Sequence, residues 1–294
     1  MHGKGKEKAD SGKLIKTIGK MTLYEKMVDE LHPQNKVERE NAQREVMQEI
    51  VLAGLFRGGF FKHAAFYGGT CLRIFHDLRR FSEDMDFTQT EKNPDVHLED
   101  YFKSIIETFK LTGREVTIKK KDKKTFGKVE SAFLKDNTDV YDIAFQTEKT
   151  PKVKIELDTC PPLGFLTEEK MLVKPYSSMV RCVSLPDLFA GKMHALLMRN
   201  WKTRVKGRDW YDFEWYVRNR IPLNFAHLQK RISEFNGIEM SMDDFLEALR
   251  QRLSETDINV VKEDVLRYVF DESELDIWSN DYFLKLADMI VYKE

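Results

Sequence analysis

The chain lacks any apolar run long enough to cross a membrane as a helix. The longest candidate, residues 50–56, contains Gly54 and is followed by Arg57, and a spanning helix needs roughly 18 apolar residues. No apolar segment follows the basic N-terminus in the way that a secretory signal requires. We therefore expect a cytoplasmic protein without a membrane partner, in which residues 1–12 form a flexible tail.

Cysteine is also scarce. The 294 residues include three cysteines, Cys71, Cys160 and Cys182, and no C-x-x-C spacing. An odd, scattered set of this kind argues against both a disulfide framework and a zinc site. The apolar fraction of 41% is still enough for one large core or two medium ones, which argues against a disordered chain.

The net charge of −1 hides a strong asymmetry along the chain. Residues 181–220 contain nine basic and four acidic side chains, whereas residues 239–294 contain fifteen acidic and six basic ones. The basic segment favours an anionic partner such as nucleotide phosphates or RNA, although ordinary solvated surfaces would give the same counts. A second basic run, residues 119–124, is interpreted as a hairpin tip that is either solvated or in contact with RNA.

Hydropathy patterns predict an α+β first part and an all-α second part. Helical periodicity covers residues 14–56, with a break at His32-Pro33, and residues 98–111. Strand patterns occur at residues 64–67, 81–87, 115–120, 128–134, 140–146 and 153–158, and consecutive strands imply antiparallel pairing. Only helices are predicted after Ser184, so we expect one domain over residues 13–184 and a second over residues 185–294.

A glycine pair marks the first candidate site. Gly68 and Gly69 follow the apolar strand at residues 64–67, and Thr70 is the expected N-cap of a helix over residues 71–78. Backbone N–H groups at a helix N-terminus bind phosphate, and glycine lets the phosphate approach the backbone closely. The turn is therefore a candidate nucleotide-binding element.

The next predicted strand carries an acidic face. Ser82, Asp84 and Asp86 occupy alternate positions, so their side chains share one face while Met85 and Phe87 anchor the other. Two carboxylates at this spacing can hold divalent cations, and Mg²⁺ accepts one or two carboxylates together with substrate phosphates. With the glycine turn they predict a two-metal site for a nucleoside triphosphate (NTP). The alternative is an exposed acidic strand after a structural turn.

Three motifs then occur in order along the chain. They are Gly68-Gly69-Thr70, Arg80-x-Ser82-x-Asp84-x-Asp86-Phe87, and Lys192-Met193-His194-Ala195-Leu196 with Arg208-Asp209-x-x-Asp212-Phe213. Together they resemble the AbiEii/AbiGii (MenT-like) nucleotidyltransferase toxins of the DNA polymerase beta-type superfamily, over about residues 45–225. One departure is that Gly69-Thr70 replaces the usual Gly-Ser, which retains a hydroxyl but leaves the donor preference open.

The resemblance implies a nucleotidyltransferase-type mixed sheet with flanking helices, followed by an all-α C-terminal domain. It also implies Mg²⁺, an NTP donor, an RNA acceptor that is tRNA for some relatives, and a cognate antitoxin in a toxin–antitoxin or abortive-infection system. A third metal-binding carboxylate is implied on a neighbouring strand. Glu156 is preferred because relatives place an acid there, and Asp158 on the same face is the second candidate. Either residue could instead be an ordinary charge of an edge strand.

The third motif supplies the remaining catalytic candidates. Lys192 is expected to reach the triphosphate as a point charge, unless it is simply a solvated helix lysine. Asp209 and Asp212 are neighbours on the following helix, where Arg208 is placed to pair with Asp212 and Asp209 suits a helix cap. We assign the two aspartates to catalysis as a pair, without separating their roles.

Other functions remain compatible with these residues. A non-catalytic nucleotide- or RNA-binding module would keep the same fold, and a protein hydroxyl would attack the α-phosphate by the same metal chemistry as an RNA hydroxyl. A metal-dependent nuclease would use the carboxylates but has no evident use for the glycine turn. The sequence therefore predicts a nucleotidyltransferase and leaves its acceptor open.

Overall fold

The computed structural model describes residues 21–121, 138–146, 151–199 and 205–293. The first part of the chain forms α1 (Leu23–Asp29), α2 (Lys36–Gly58), β1 (Ala64–Tyr67), α3 (Gly68–Phe75), β2 (Asp84–Gln89), α4 (Phe102–Leu111), β3 (Val116–Lys120), β4 (Thr138–Phe145), β5 (Lys152–Asp158), β6 (Thr167–Leu172) and β7 (Ser178–Val183). The second part forms α5 (Leu185–Met198), α6 (Gly207–Arg218), α7 (Phe225–Asn236), α8 (Met242–Glu255), α9 (Ile258–Leu266) and α10 (Asn280–Ala287). The expected tail, the start of the first predicted helix, the end of the basic run at 119–124 and the predicted strand at 128–134 lie outside the described residues.

The seven described strands form one mixed sheet in the order β3-β4-β5-β2-β1-β7-β6. β2 pairs in parallel with β5, and β1 pairs in parallel with β7. The other four pairings are antiparallel, including β3 with β4 and β4 with β5 as the run of strands predicted. The α+β class, with a mixed sheet, flanking helices and a helical C-terminal part, is confirmed.

The break between the first two helices and the end of α2 follow the prediction. Asn35 caps α2 by accepting from the Glu38 N–H, and Gly59 ends the helix in the left-handed region at φ +82°. Gly54 lets α2 approach α4 closely, because a Cβ there would lie 2.7 Å from the Ile105 Cα. The two packed helices support the buried face of the sheet.

The sequence patterns missed β6 and β7. β6 is an edge strand in which Glu168, Glu169 and Lys170 are consecutive, so charged side chains point to both faces. Such a strand has no apolar alternation to indicate it. Its partner β7 lies between β6 and β1 in the sheet.

The C-terminal helices share one continuous hydrophobic core with the sheet. α6 contributes Trp210 and Phe213, and both rings pack against Phe283 of α10, with Trp210 edge-on at a centroid distance of 4.8 Å. α5 begins at Leu185, directly after β7, while the proposed domain boundary at residue 184 stays a prediction. Among the helices described, none is long and apolar enough to cross a membrane.

Candidate active site

The glycine turn connects β1 directly to α3. Gly68 has φ +82°, and a Cβ at this position would lie 2.4 Å from the Asp86 Oδ2. A Cβ at Gly69 would lie 2.5 Å from the Arg80 Nη2. The turn therefore packs against a carboxylate of β2 on one side and a buried guanidinium on the other, and a side chain at either position would displace one of these groups.

Thr70 does not cap α3, contrary to the sequence prediction. The helix begins at Gly68, three residues before the predicted start at Cys71, and the N-cap position is Tyr67, whose backbone is extended. Thr70 is fully buried, and its hydroxyl donates to the backbone carbonyl of Asp84 and lies 2.8 Å from the Ser82 Oγ. Its side chain thus fastens the glycine turn to the start of β2.

The strand register brings the acidic residues together. In the parallel pair of β2 with β5, Asp86 lies opposite Glu156 and Asp84 lies opposite Lys154. Residues in register share a face, so Asp84, Asp86 and Glu156 form one carboxylate cluster. Burial, Glu156 and Asp84 together raise the pKa of Asp86 to about 7. The neighbouring carboxylates thus disfavour the ionised form of Asp86, an effect that a cation within the cluster would oppose.

Asp158 lies further along β5. It is opposite Thr88, two residues beyond Asp86 on β2, and its Oδ1 accepts from the Cys160 N–H at 3.0 Å. Asp158 also contributes, after burial and Asp86, to the raised pKa of Tyr67. The geometry therefore places Glu156, rather than Asp158, next to the aspartate pair.

Sequence reasoning missed Lys154, which lies within the carboxylate cluster. Its Nζ is 3.2 Å from the Asp84 Oδ2 and 2.7 Å from the Glu156 Oε1. Although burial lowers the pKa of Lys154, Asp84 and Glu156 outweigh burial and raise it above its ordinary value. The signal was available, because Lys154 and Glu156 alternate on one strand and must share a face.

A second, largely buried network joins α5, α6 and the segment before β2. The Lys192 Nζ lies 2.7 Å from the Asp209 Oδ1 and 2.8 Å from the Asp212 Oδ2. Asp212 also accepts two hydrogen bonds from Arg80, at 2.6 Å and 2.7 Å, and Asp209 accepts one from Arg199 at 2.9 Å. The structure thus brings together the lysine and both aspartates of the third motif. It adds two arginines, so that the network carries three cations and two carboxylates.

The predicted pairing of Arg208 with Asp212 is wrong. Asp212 is fully buried and turned toward Arg80, whereas Arg208 lies over the Tyr268 ring at 4.3 Å. The Arg208 Nη1 is 3.9 Å from the Glu83 Oε2, which also accepts from the Tyr268 hydroxyl. Arg208 therefore belongs to the rim of the site.

Asp209 is also no helix cap, because α6 begins at Gly207 with Lys206 at its N-cap position. Burial alone would raise the pKa of Asp209, but Arg199 and Lys192 hold it below its ordinary value. Lys206 links the two clusters. Burial and Arg199 lower its pKa to about 8, while Asp209 and Asp84 act in the opposite direction. The neighbouring basic residues at 200–204 lie outside the described part of the chain.

A different group of possible metal ligands lies away from this site. His97, Glu99 and Asp139 each offer one possible ligand atom, and these three atoms lie within 4.8 Å of one another. Asp139 is paired with Leu157, so it faces the side of the sheet opposite to Glu156. The Lys120 Nζ lies 3.4 Å from both carboxylates of this group and already supplies a cation. The group is therefore separate from the candidate active site.

Comparisons with solved structures and curated proteins gave the following similarities. The chain is similar to JHP933 from Helicobacter pylori, with 16% identity, coverage of 85% of this chain and 89% of that chain, and a TM-score of 0.46. It is also similar to MenT4, a nucleotidyltransferase toxin from Mycobacterium tuberculosis, with 14% identity, coverage of 90% and 93%, and a TM-score of 0.48. No curated protein matches the chain significantly.

A family model gives the more direct assignment. The family described as "Nucleotidyl transferase AbiEii toxin, Type IV TA system" matches residues 50–286. The matched range includes the glycine turn, the carboxylate cluster and the Lys192 network, and it covers well over half of the chain. The chain therefore belongs to the AbiEii family of nucleotidyltransferase toxins of type IV toxin–antitoxin systems, and it is a transferase enzyme.

Proposed function

We propose that this enzyme transfers a nucleoside monophosphate from an NTP to an RNA acceptor in a Mg²⁺-dependent reaction. One observation carries the proposal: the phosphate-binding type of glycine turn packs directly against Asp86, which lies opposite Glu156 on the neighbouring strand. A triphosphate on the turn would therefore meet the carboxylate cluster. As the family is a toxin family, the remaining partner is a cognate antitoxin.

The donor set suits Mg²⁺. Asp84, Asp86 and Glu156 offer only oxygen atoms, and the raised pKa of Asp86, caused by burial, Glu156 and Asp84, reflects negative charge that a divalent cation would neutralise. These three residues would hold the metal, with Asp158 as the second candidate for the third position. When bound, the ions would activate the attacking hydroxyl and stabilise the leaving pyrophosphate.

The residues of the chain bind and orient the donor. The N-terminus of α3 presents backbone N–H groups to the phosphates, with Ser82 beside the turn. The excess positive charge of the buried network lets Lys192 attract the triphosphate. In the reaction, the acceptor oxygen bonds to the α-phosphorus, the bond from that phosphorus to the bridging oxygen breaks, and pyrophosphate leaves. The proton of the acceptor hydroxyl passes to the carboxylate cluster.

The rim of the site favours RNA over a protein hydroxyl as the acceptor. The guanidinium groups of Arg208 and Arg267 both lie over the Tyr268 ring, at 4.3 Å and 4.7 Å. Arg208 also approaches Glu83, the residue before Asp84. Tyr268 itself is buried, so the exposed guanidinium of Arg267 and the neighbouring Arg208 are the groups that would bind the phosphates of a nucleic-acid backbone. An RNA 3′ end, with tRNA as one candidate, would thus lie next to the carboxylates.

The test is to incubate the protein with Mg²⁺, each α-labelled NTP in turn and total RNA. We compare the wild type with Asp86→Asn and with Asp281→Asn, which removes an exposed carboxylate of α10. Label on a discrete RNA band, lost only in Asp86→Asn, is the expected result. Label on protein alone would overturn the RNA acceptor. RNA shortening, or NTP binding by calorimetry without any transfer, would overturn the transferase proposal.

A further inference from the structure

Lys154 is the feature of the site that the proposed reaction leaves unexplained. Its ammonium group contacts two of the three carboxylates that would hold the metal, Asp84 at 3.2 Å and Glu156 at 2.7 Å. The side chains of all three residues are mostly buried, with exposed fractions of 21%, 35% and 19% respectively. A single positive charge thus lies between ligands that suit a divalent cation.

The strand register offers this ammonium a second position. Lys154 is flanked by Asp84 on β2 and by Asp142 on β4, and Asp142 is flanked in turn by Lys119 on β3. Side chains in register on adjacent strands share a face and have neighbouring Cβ atoms. The row therefore alternates in charge across four strands, and Lys154 has a carboxylate on each side.

We propose that the Lys154 ammonium takes the place of a divalent cation in the metal-free enzyme, holding Asp84 and Glu156 together until a metal displaces it toward Asp142. The inference rests on the proposed function for the presence of a metal between these carboxylates. It adds that Lys154 is a positioning residue which competes with the metal. Binding of the ion then requires both the departure of one cation and the arrival of another.

Removing the ammonium should strengthen metal binding and weaken the metal-free protein. We expect Lys154→Met to bind Mn²⁺ at least about tenfold more tightly than the wild type, because one unit of repelling charge is lost at contact distance. Without metal, the same variant should melt at a lower temperature, since three carboxylates then lie together without the counter-charge that contacts two of them. Saturating Mn²⁺ should restore its melting temperature to the Mn²⁺-bound wild-type value.

The experiment is calorimetric titration with Mn²⁺ alone, together with thermal melting in chelator and in Mn²⁺. Lys152→Met is the matched control, because it removes an exposed lysine two residues away on the same strand. We expect it to alter neither affinity nor melting temperature. Lys154→Arg keeps the charge and can bind a carboxylate through two hydrogen bonds, so it should retain the metal-free stability and bind Mn²⁺ more weakly than the wild type.

Unchanged or weaker Mn²⁺ binding by Lys154→Met would overturn the proposal. If that variant does not fold, Lys154→Arg decides, and Mn²⁺ affinity equal to that of the wild type would count against competition. Asp86→Asn separates this inference from the proposed function. Loss of Mn²⁺ binding in Asp86→Asn without tightening in Lys154→Met would refute the role of Lys154 alone, whereas intact binding in Asp86→Asn would refute the metal site itself.

Discussion

Gly68 determines how closely the glycine turn approaches the carboxylate cluster. Its backbone lies in the left-handed region at φ +82°, and the space that a side chain would need is filled by Asp86. A larger residue would face two separate costs, one in backbone strain and one in displacement of the carboxylate. The two costs can be separated experimentally, because Gly237 has a similar φ of +66° and, among the described residues, open space where its Cβ would lie.

We expect Gly237→Ala to lose roughly 1–2 kcal/mol of unfolding free energy from left-handed strain, and Gly68→Ala to lose at least as much. Gly68→Ala should also lower the transfer rate by at least about tenfold, because a Cβ would displace the Asp86 carboxylate or open the turn, and a misplaced group costs rate steeply. Urea unfolding and initial rates of label transfer provide the two measurements. Equal transfer rates in the two variants would show that the close approach of Gly68 to Asp86 has no role in catalysis.

At the scale of elements, the buried ionic network holds α5, α6 and the segment before β2 in one arrangement. Arg80 and Asp212 are separated by 132 residues in sequence, yet they form two hydrogen bonds with side chains that are 3% and 0% exposed. Removal of one member from such a pair leaves an uncompensated buried charge, which costs far more than the pair itself contributes. Substitutions within the network should therefore have coupled effects on the free energy of unfolding.

We expect Asp212→Asn to lower the unfolding free energy by about 3–5 kcal/mol, since it leaves both Arg80 and Lys192 short of a counter-charge. Arg80→Met should cost less, because Lys192 still faces Asp212 at 2.8 Å. In the double variant the effects should be non-additive by at least about 1 kcal/mol.

Urea unfolding of the four proteins in this double-mutant cycle gives the coupling. A cycle on the exposed pair Arg250 and Asp288, whose side chains are 52% and 54% exposed, is the control and should show under about 1 kcal/mol. If the coupling energy between Arg80 and Asp212 were no larger than that of the exposed pair, the buried network would not act cooperatively.

The same elements show what the sequence could and could not predict. Alternation alone placed Asp84 and Asp86 on one face, and β2 begins at Asp84 as a strand with that pattern. The resemblance favoured Glu156 over Asp158. The position of Glu156 opposite Asp86 appears only in the register of the parallel pair of β2 with β5, two strands that α4, β3 and β4 separate along the chain. No local pattern encodes such a pairing, because register depends on which strands meet in the sheet.

Long-range contacts explain the remaining errors in the same way. The prediction paired Arg208 with Asp212 from helical spacing, whereas Asp212 turns inward to the distant Arg80. The helix-capping role expected for Thr70 was wrong because its hydroxyl bonds to β2 instead. Polar side chains are thus placed well by local periodicity, but their partners follow from tertiary structure.

At the scale of the whole molecule, residues from the basic segment and from the acidic C-terminal segment lie close together at the candidate active site. The basic segment of the sequence supplies Lys206 and Arg208 beside the carboxylate cluster and Arg199 to the buried network, and the acidic C-terminal segment contributes Arg267 to the rim. A count along the chain assigns Arg267 to an acidic region, although it shares the Tyr268 ring with Arg208. The rim therefore receives a cation that the charge counts by segment did not indicate.

This rim makes a prediction that separates acceptor binding from donor binding. Arg267 is exposed and outside the buried network, so Arg267→Gln should leave the fold and the KM for the NTP unchanged. It should weaken binding of single-stranded RNA, and the slope of log affinity against log salt should fall by about 1 if one phosphate contact is lost. Fluorescence anisotropy with a labelled oligonucleotide in chelator, over a range of salt concentrations, measures both quantities.

Arg250→Gln is the matched control, because it removes an exposed arginine that contacts Asp288 on the C-terminal helices. If the two variants bound RNA equally well and with the same salt dependence, the effect would be one of net charge and the rim would have no specific role. A change confined to Arg267→Gln would instead locate the acceptor strand at Tyr268, next to Glu83 and the aspartates of β2.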